Sequence, residues 1–218
     1  MNEPAVTAAA LVELHDTLLS QATWPQTEPS PALAPDNVWH WISANHRFNS
    51  LLWAEEDLAR RTRVSDSDIA TNKRAIDGFN QARNDATERV DELLLIELGL
   101  VDATSARTDA PVSMAPATAR LNSETAGAMM DRLSIMALKV HAMRAQCLRT
   151  DVDAEHIASS RIKLDRLLTQ RTDLAACLDA LLRDCRTGQA YFKVYRQFKM
   201  YNDARFNPAL VAEQRCAS

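Results

Sequence analysis

Apolar residues recur along most of this chain at steps of three and four, the spacing that lines one face of an α-helix. Leu11, Leu14 and Leu18 form such a stripe in a segment over 4–21. After a stretch holding Pro25, Pro29, Pro31 and Pro35, a second helix is expected over 36–62, with Asp36 as its N-cap. Ser65-Asp66-Ser67-Asp68 reads as a capping-box variant opening a third helix, and Gly99 stands where a C′ glycine belongs. Residues 101–121, rich in Ala, Thr, Ser and Pro, read as a long flexible loop. A fourth helix is expected from Asn122-Ser123-Glu124 to 149, and a fifth from Thr150-x-x-Asp153 to 186, stopped by Gly188. Ile157, Leu164, Leu167, Leu168, Leu174, Leu178 and Leu181 form the fifth helix's stripe. A last helix is expected over 189–203. No strand signal of any strength stands out. The chain therefore reads as all-α, a single-domain bundle of about six helices. The expected division is an N-terminal helix and proline-rich linker over 1–35, the bundle over 36–208 and a tail over 209–218.

Composition narrows the picture. Its 218 residues suffice for a sizeable single core, and 46% hydrophobic with 25% charged residues excludes disorder by composition. A net charge of −4 argues against general affinity for nucleic acid. No apolar run approaches the ~18 residues of a spanning helix, and the acid-bearing N-terminus lacks a signal peptide's basic region. The cytoplasm is the expected compartment. Cys147, Cys177, Cys185 and Cys216 show no CxxC spacing and read as reduced thiols.

Two helices break the simplest patterning rule. At roughly 100° per residue, Asn45, Asn49, Glu56 and Arg60 fall within a sector of about 60° inside the apolar face of the second helix. Lys73, Asp77, Asn80, Asn84 and Asp91 do the same beside the apolar stripe of the third. Polar groups on packing faces cost several kcal/mol unless each finds a partner. Either the two faces close into a structural network that sets helix register, or they line a pocket. The fourth helix, apolar nearly all round and so expected to be central, adds Arg132 and Lys139. Asp131 beside Arg132 would make a structural ion pair with it.

The segment 191–206 holds six of the twelve aromatic residues, and six basic residues lie between Arg183 and Arg205. Read as a helix, it packs Tyr191, Val194, Tyr195, Phe198 and Tyr201 inward and turns Lys193, Arg196 and Lys199 outward. Either those charges only solvate the outer face, or they make a contact surface for phosphate, lipid headgroups or an acidic partner. No P-loop, GxGxxG, HExxH or GxSxG motif is present, and no His follows a Glu by three residues, so no metal or cofactor is expected. Glu55-Glu56 with Glu88-x-x-Asp91 offers only a partial match to the paired acidic motifs of Mg-dependent nucleotide hydrolases.

Four separated stretches are recognisable as a set. They are Asn45-His46-x-x-Asn49-x-x-Leu52-Trp53-x-x-Glu56-Asp57-x-Ala59-Arg60 and Lys73-Arg74-x-Ile76-Asp77-x-x-Asn80-Gln81-x-Arg83-Asn84-Asp85. Asp131-Arg132-Leu133-Ser134-Ile135-x-x-Leu138-Lys139 and Phe192-Lys193-Val194-Tyr195-Arg196-Gln197-Phe198-Lys199-Met200-Tyr201-Asn202-Asp203 complete it. Over roughly residues 38–208, leaving out the proline-rich linker and the 101–121 loop, the chain resembles an uncharacterised bacterial family, the domain of unknown function forty-two fifty-four. Genes of that family often lie near glycosyltransferase and lipopolysaccharide genes, which implies a cytoplasmic role in cell-surface glycan assembly. It implies no mechanism.

The expected function is binding of an anionic small molecule such as a nucleotide sugar or phosphosugar. Arg60, Lys73, Arg132 and Lys139 would hold its anionic groups, Asn49, Asn80 and Asn84 would orient hydroxyls, Asn45 would also bind the ligand, and Glu56 or Asp77 would be the acid or base. The alternative is a non-catalytic module that docks on a glycosyltransferase through Lys193, Arg196, Lys199, Tyr201 and Asn202. A Mg-dependent nucleotide hydrolase is the third option.

Overall fold

The structure, a computed structural model, describes residues 5–26, 28, 34–196 and 203–216. Its elements are α1 (Ala8–Leu19), α2 (Val38–Leu58), α3 (Asp66–Glu97), β1 (Arg120–Leu121), α4 (Ala126–Cys147), α5 (Ala154–Arg186), β2 (Ala190–Tyr191) and α6 (Pro208–Cys216). The fold is an all-α multi-helix bundle. Local chemistry sets most boundaries. Ser65 and Asp68 form a reciprocal capping box at the start of α3. Asn37, Thr125 and Asp153 cap α2, α4 and α5. Gly99 and Gly188 follow the ends of α3 and α5 with φ of 67° and 69°, a left-handed turn that glycine adopts without a Cβ penalty.

The helix that is apolar nearly all round is central: α4 packs against α1, α2, α3 and α5. Ala126, Met129, Met130 and Leu133 of α4 are buried, and they share one core with Leu94 and Leu95 of α3, Leu178 and Leu182 of α5, and Leu11 of α1. Burial of each such leucine contributes about 1.5–3 kcal/mol. On α5 the core stripe is confined to the C-terminal half, from Leu174 to Cys185. The α2–α3 pair packs on one side of α4 and α5 on another, with α1 bridging α4 and α5. The carboxylate of Asp179 reinforces that bridge by accepting the Ala8 N–H at 2.8 Å.

Two expectations are corrected. The loop after α3 is not a loose tether: Leu100, Val101 and Ala106 are buried, and Val101 bridges Ser113. The segment following Gly188 is not a helix where it is described. Ala190–Tyr191 pairs in parallel with Arg120–Leu121, and the chain runs on without helix to Arg196. Phe192 and Val194 are buried while Tyr195 is exposed, the period of two that an extended segment imposes. Arg196 turns inward. Its guanidinium meets Glu92 at 2.5 Å and Glu88 at 3.1 Å and donates to the Ala106 carbonyl at 2.9 Å. One cation therefore ties the C-terminal segment and the loop to α3. The sixth helix lies further on, at Pro208–Cys216, where none was expected. Lys199, Tyr201 and Asn202 lie outside the described residues. The four cysteines are free thiols.

Candidate functional site

The polar seam is a closed network at its base and an open trough above it. At the base, Asn45, His46 and Asn49 of α2 are buried against Ser134 of α4. Their spacing puts all three on the α2 face that meets α4. Asn49 donates to the Ser134 hydroxyl at 3.0 Å, and that hydroxyl lies 2.8 Å from His46 Nδ1. Asn45 and Asn49 each donate from Nδ2 to Asp131 Oδ1 at 2.8 Å, and Asn45 also reaches the Thr87 hydroxyl at 3.0 Å. Asp131 is thereby the carboxylate that the network orients. Arg83 Nε stands 3.9 Å from Asp131 Oδ1, too far to bond, and has no hydrogen-bond acceptor among the described residues.

Behind the histidine lies a stack of rings. The His15 ring of α1 lies 4.3 Å from that of His46, and Trp24 lies 5.3 Å away from His46. Burial pulls His46 down to about 4, against an opposing pull from the His15 backbone and Asp16, and holds His15 well below the usual histidine range. Both imidazoles are therefore neutral at pH 7.

Above the network two grooves adjoin, both lined by Arg83. The first, about 360 Å³, is lined by Asn49, Trp53, Glu56, Asp57, Arg60 and Asn80 over an apolar floor of Leu52, Ile135 and Leu138. The second, about 320 Å³, takes in Asn84, Thr87, Glu88, Asp91, Asp131, Arg132 and Tyr195. Both fall in the range of small-molecule sites, about 300–1,000 Å³. At the end of the second groove α4 begins. Gly127 N–H donates to buried Asp91 Oδ1 at 2.6 Å, and a Cβ on Gly127 would lie 2.7 Å from the Thr87 carbonyl. Burial pushes the Asp91 carboxyl up to about 7, against bonds from Thr125 and Gly127 that favour its ionised form; Glu88 and Glu92 add to the rise.

The structure brings Asn49, Glu56, Arg60 and Asn80 together in the first groove and Asn84 and Arg132 in the second, with Asn45 beneath both. Lys139 instead lines a separate groove of about 640 Å³ between α4 and α5, which Arg132 also borders. Lys73 and Asp77 are exposed and line neither groove of the trough. Glu56 pairs with Arg60 at 3.1 Å on an exposed helix turn. Arg132 pairs with Glu124 at 2.6 Å rather than with its neighbour Asp131. Adjacent residues of a helix diverge by roughly 100°, so Asp131 points into the seam while Arg132 points to the rim.

The acids of the hydrolase reading are committed elsewhere. Glu55 accepts from Asn72 at 2.7 Å, Glu88 binds Arg196, and Asp91 caps the start of α4. Among the described residues no group of three or more His, Cys, Asp or Glu side chains is placed to hold a metal ion. Pattern reading on single helices missed Asp131, Arg83 and Ser134 as seam members. The available signal was the recurrence of all three inside the resemblance motifs. Lys193 sits with its ammonium 5.9 Å from the Tyr191 ring, and Arg196 forms the internal clamp.

A family model described as a protein of unknown function, DUF4254, matches residues 39–194. No curated protein and no solved structure matches the chain. The matched span runs from α2 to Val194 and includes the loop between α3 and α4, so the network, β2 and all of the trough's lining except Tyr195 fall inside it, while α1 and α6 fall outside. The chain belongs to this family, DUF4254, a family of proteins of unknown function.

Proposed function

We propose that the trough binds an anionic, sugar-containing small molecule, such as a phosphosugar or nucleotide sugar, and that the protein serves cell-surface glycan assembly in the cytoplasm. The observation that carries the reading is Arg83. It lines both grooves; its buried Nε lies 3.9 Å from Asp131 Oδ1 without a hydrogen-bond acceptor, and its Nη2 donates to Asn84 Oδ1 at 3.1 Å. A guanidinium presents a planar fork that matches a phosphate or carboxylate. Arg60 and Arg132 stand nearby in exposed pairs with Glu56 and Glu124. Such pairs contribute about 0–1 kcal/mol, so a ligand phosphate displaces them at small cost. Asp131, held by two amides, is the acceptor best placed for a ligand hydroxyl. The glycan context rests on the family resemblance.

Thermal-shift screening of phosphosugars and nucleotide sugars tests this reading, with Arg83→Gln as the control. At least one compound should raise Tm in the wild type and lose most of that shift in the variant. A flat response across the panel refutes it.

A second reading, docking on a glycosyltransferase through the segment after β2, draws on Tyr195, which is 62% exposed beside half-buried Lys193. Pull-down with a Lys193→Ala/Tyr195→Ala variant should lose a glycosyltransferase that the wild type retains. An unchanged partner set refutes it.

A further inference from the structure

The trough is long rather than round. Along α3, Asn80, Arg83, Asn84, Thr87, Glu88 and Asp91 succeed one another on one face, and the eleven steps from Asn80 to Asp91 span about 17 Å at ~1.5 Å per residue. Along α4 the order is reversed: Leu138 and Ile135 lie at the first groove, Asp131 and Ala128 at the second. The two helices therefore wall the two grooves in succession, with Arg83 between them, and the chemistry differs from one to the other.

At the first end Trp53 is 37% exposed, stands outside the core cluster and donates its indole N–H to no described residue. Around it the charges balance, Glu56 and Asp57 against Arg60 and Arg83, with the amides of Asn49 and Asn80 between. A sugar ring asks for this set: its C–H face is apolar and rests on an aromatic face, and its hydroxyls both donate and accept. In the middle, Arg83 supplies the phosphate fork. At the second end Asp131 is a hydroxyl acceptor, unsuited to phosphate but suited to a ribose hydroxyl. Beside it the exposed Tyr195 offers a face for a base.

We infer that the trough takes a nucleoside diphosphate sugar lengthwise, with the sugar on Trp53, the diphosphate at Arg83 and the nucleoside toward Asp131 and Tyr195. This rests on the anion-binding reading above and names its ligand class and orientation. Trp53 is the residue that sets the preference for a sugar-bearing ligand over the bare diphosphate.

Isothermal titration tests it with uridine, guanosine, thymidine and cytidine diphosphates, their hexose conjugates, and glucose 1-phosphate. For at least one base, the conjugate should bind the wild type about tenfold tighter than the bare diphosphate. Trp53→Ala should erase that advantage while leaving the Kd of the bare diphosphate within about twofold; Tyr195→Ala should weaken both. Trp53 lies outside the core, and a Trp53→Phe variant, which keeps a smaller aromatic face, should retain part of the advantage. Equal binding of conjugate and bare diphosphate, or equal loss of both in Trp53→Ala, overturns the inference and leaves the anion site standing. Binding of glucose 1-phosphate alone does the same. Failure of every compound overturns both.

Discussion

The close approach of α4 to α3 at Gly127 yields the sharpest stability prediction. Gly127 is the second residue of α4, and a Cβ there would lie 2.7 Å from the Thr87 carbonyl oxygen, 2.8 Å from Asp91 Oδ1 and 2.9 Å from its Cγ. The first of these atoms belongs to the backbone of α3, so it cannot yield by a rotamer change. Gly127→Ala must therefore push α4 away from α3. Overpacking of this kind costs about 1–3 kcal/mol. The same movement stretches the 2.6 Å bond from Gly127 N–H to Asp91, a class of bond that contributes about 1.5–3 kcal/mol when its acceptor is charged. Alanine recovers up to about 1 kcal/mol of backbone entropy. The net expectation is a loss of about 2–4 kcal/mol. Gly78→Ala is the internal control: it lies inside α3, is exposed, and its Cβ would meet nothing within 4 Å, so the same replacement should stabilise by about 0.5–1 kcal/mol. Urea unfolding of both variants beside the wild type reads the two signs. Should Gly127→Ala unfold within about 0.5 kcal/mol of the wild type, the helices are not held this close and the reasoning fails.

Three further outcomes follow from the same structure. Asp91 titrates at about 7 when folded, above its ordinary value of 3.8, so its contribution is full below about pH 4 and is lost as pH rises toward 7. Asp91→Asn removes that dependence. Relative to wild type it should gain on the order of 2 kcal/mol between pH 5 and pH 8 in paired urea titrations, and a constant difference would contradict the raised value. For His46 the sign is opposite: its folded value is about 4, so stability is full above about pH 6.5 and falls as pH drops toward 4. Because Trp24 stacks on His46, acidification through that window should change tryptophan emission, and a His46→Phe variant should flatten the change. Arg196→Ala removes the cation shared by Glu88 and Glu92 but leaves Arg89 paired with Glu92, so it should cost about 1.5–3 kcal/mol and speed hydrogen exchange around Ala106. Unaltered exchange there would show that the clamp does not hold the loop.

Much of the architecture was legible from local signals. Ser65 with Asp68, Gly99, Asp153 and Gly188 act within a turn of their own positions, so their roles follow from neighbours in sequence. The central place of α4 was legible too, because a helix with apolar residues on nearly every side must bury them all. The segment 189–196 defeated the same method. Tyr191, Val194 and Tyr195 satisfy a helical step by coincidence, and the choice fell to a partner strand some seventy residues earlier and to a buried slot for Phe192. Pairing of that kind leaves no trace in a local window.

The seam divides along the same line. By itself the amino-acid order determined that α2 and α3 carry amides and charges on their packing faces, since helical period alone places Asn45, Asn49, Asn80 and Asn84 there. Only the tertiary structure decided which of those groups meet. It set Asp131 rather than Glu56 or Asp77 at the focus of the amides, placed Arg83 at the junction of two grooves, and left Lys73 exposed. The reason is geometric. Periodicity fixes the angle of a side chain about its own axis, whereas contact also depends on the crossing and axial offset of a neighbouring helix, which the core beneath α4 sets.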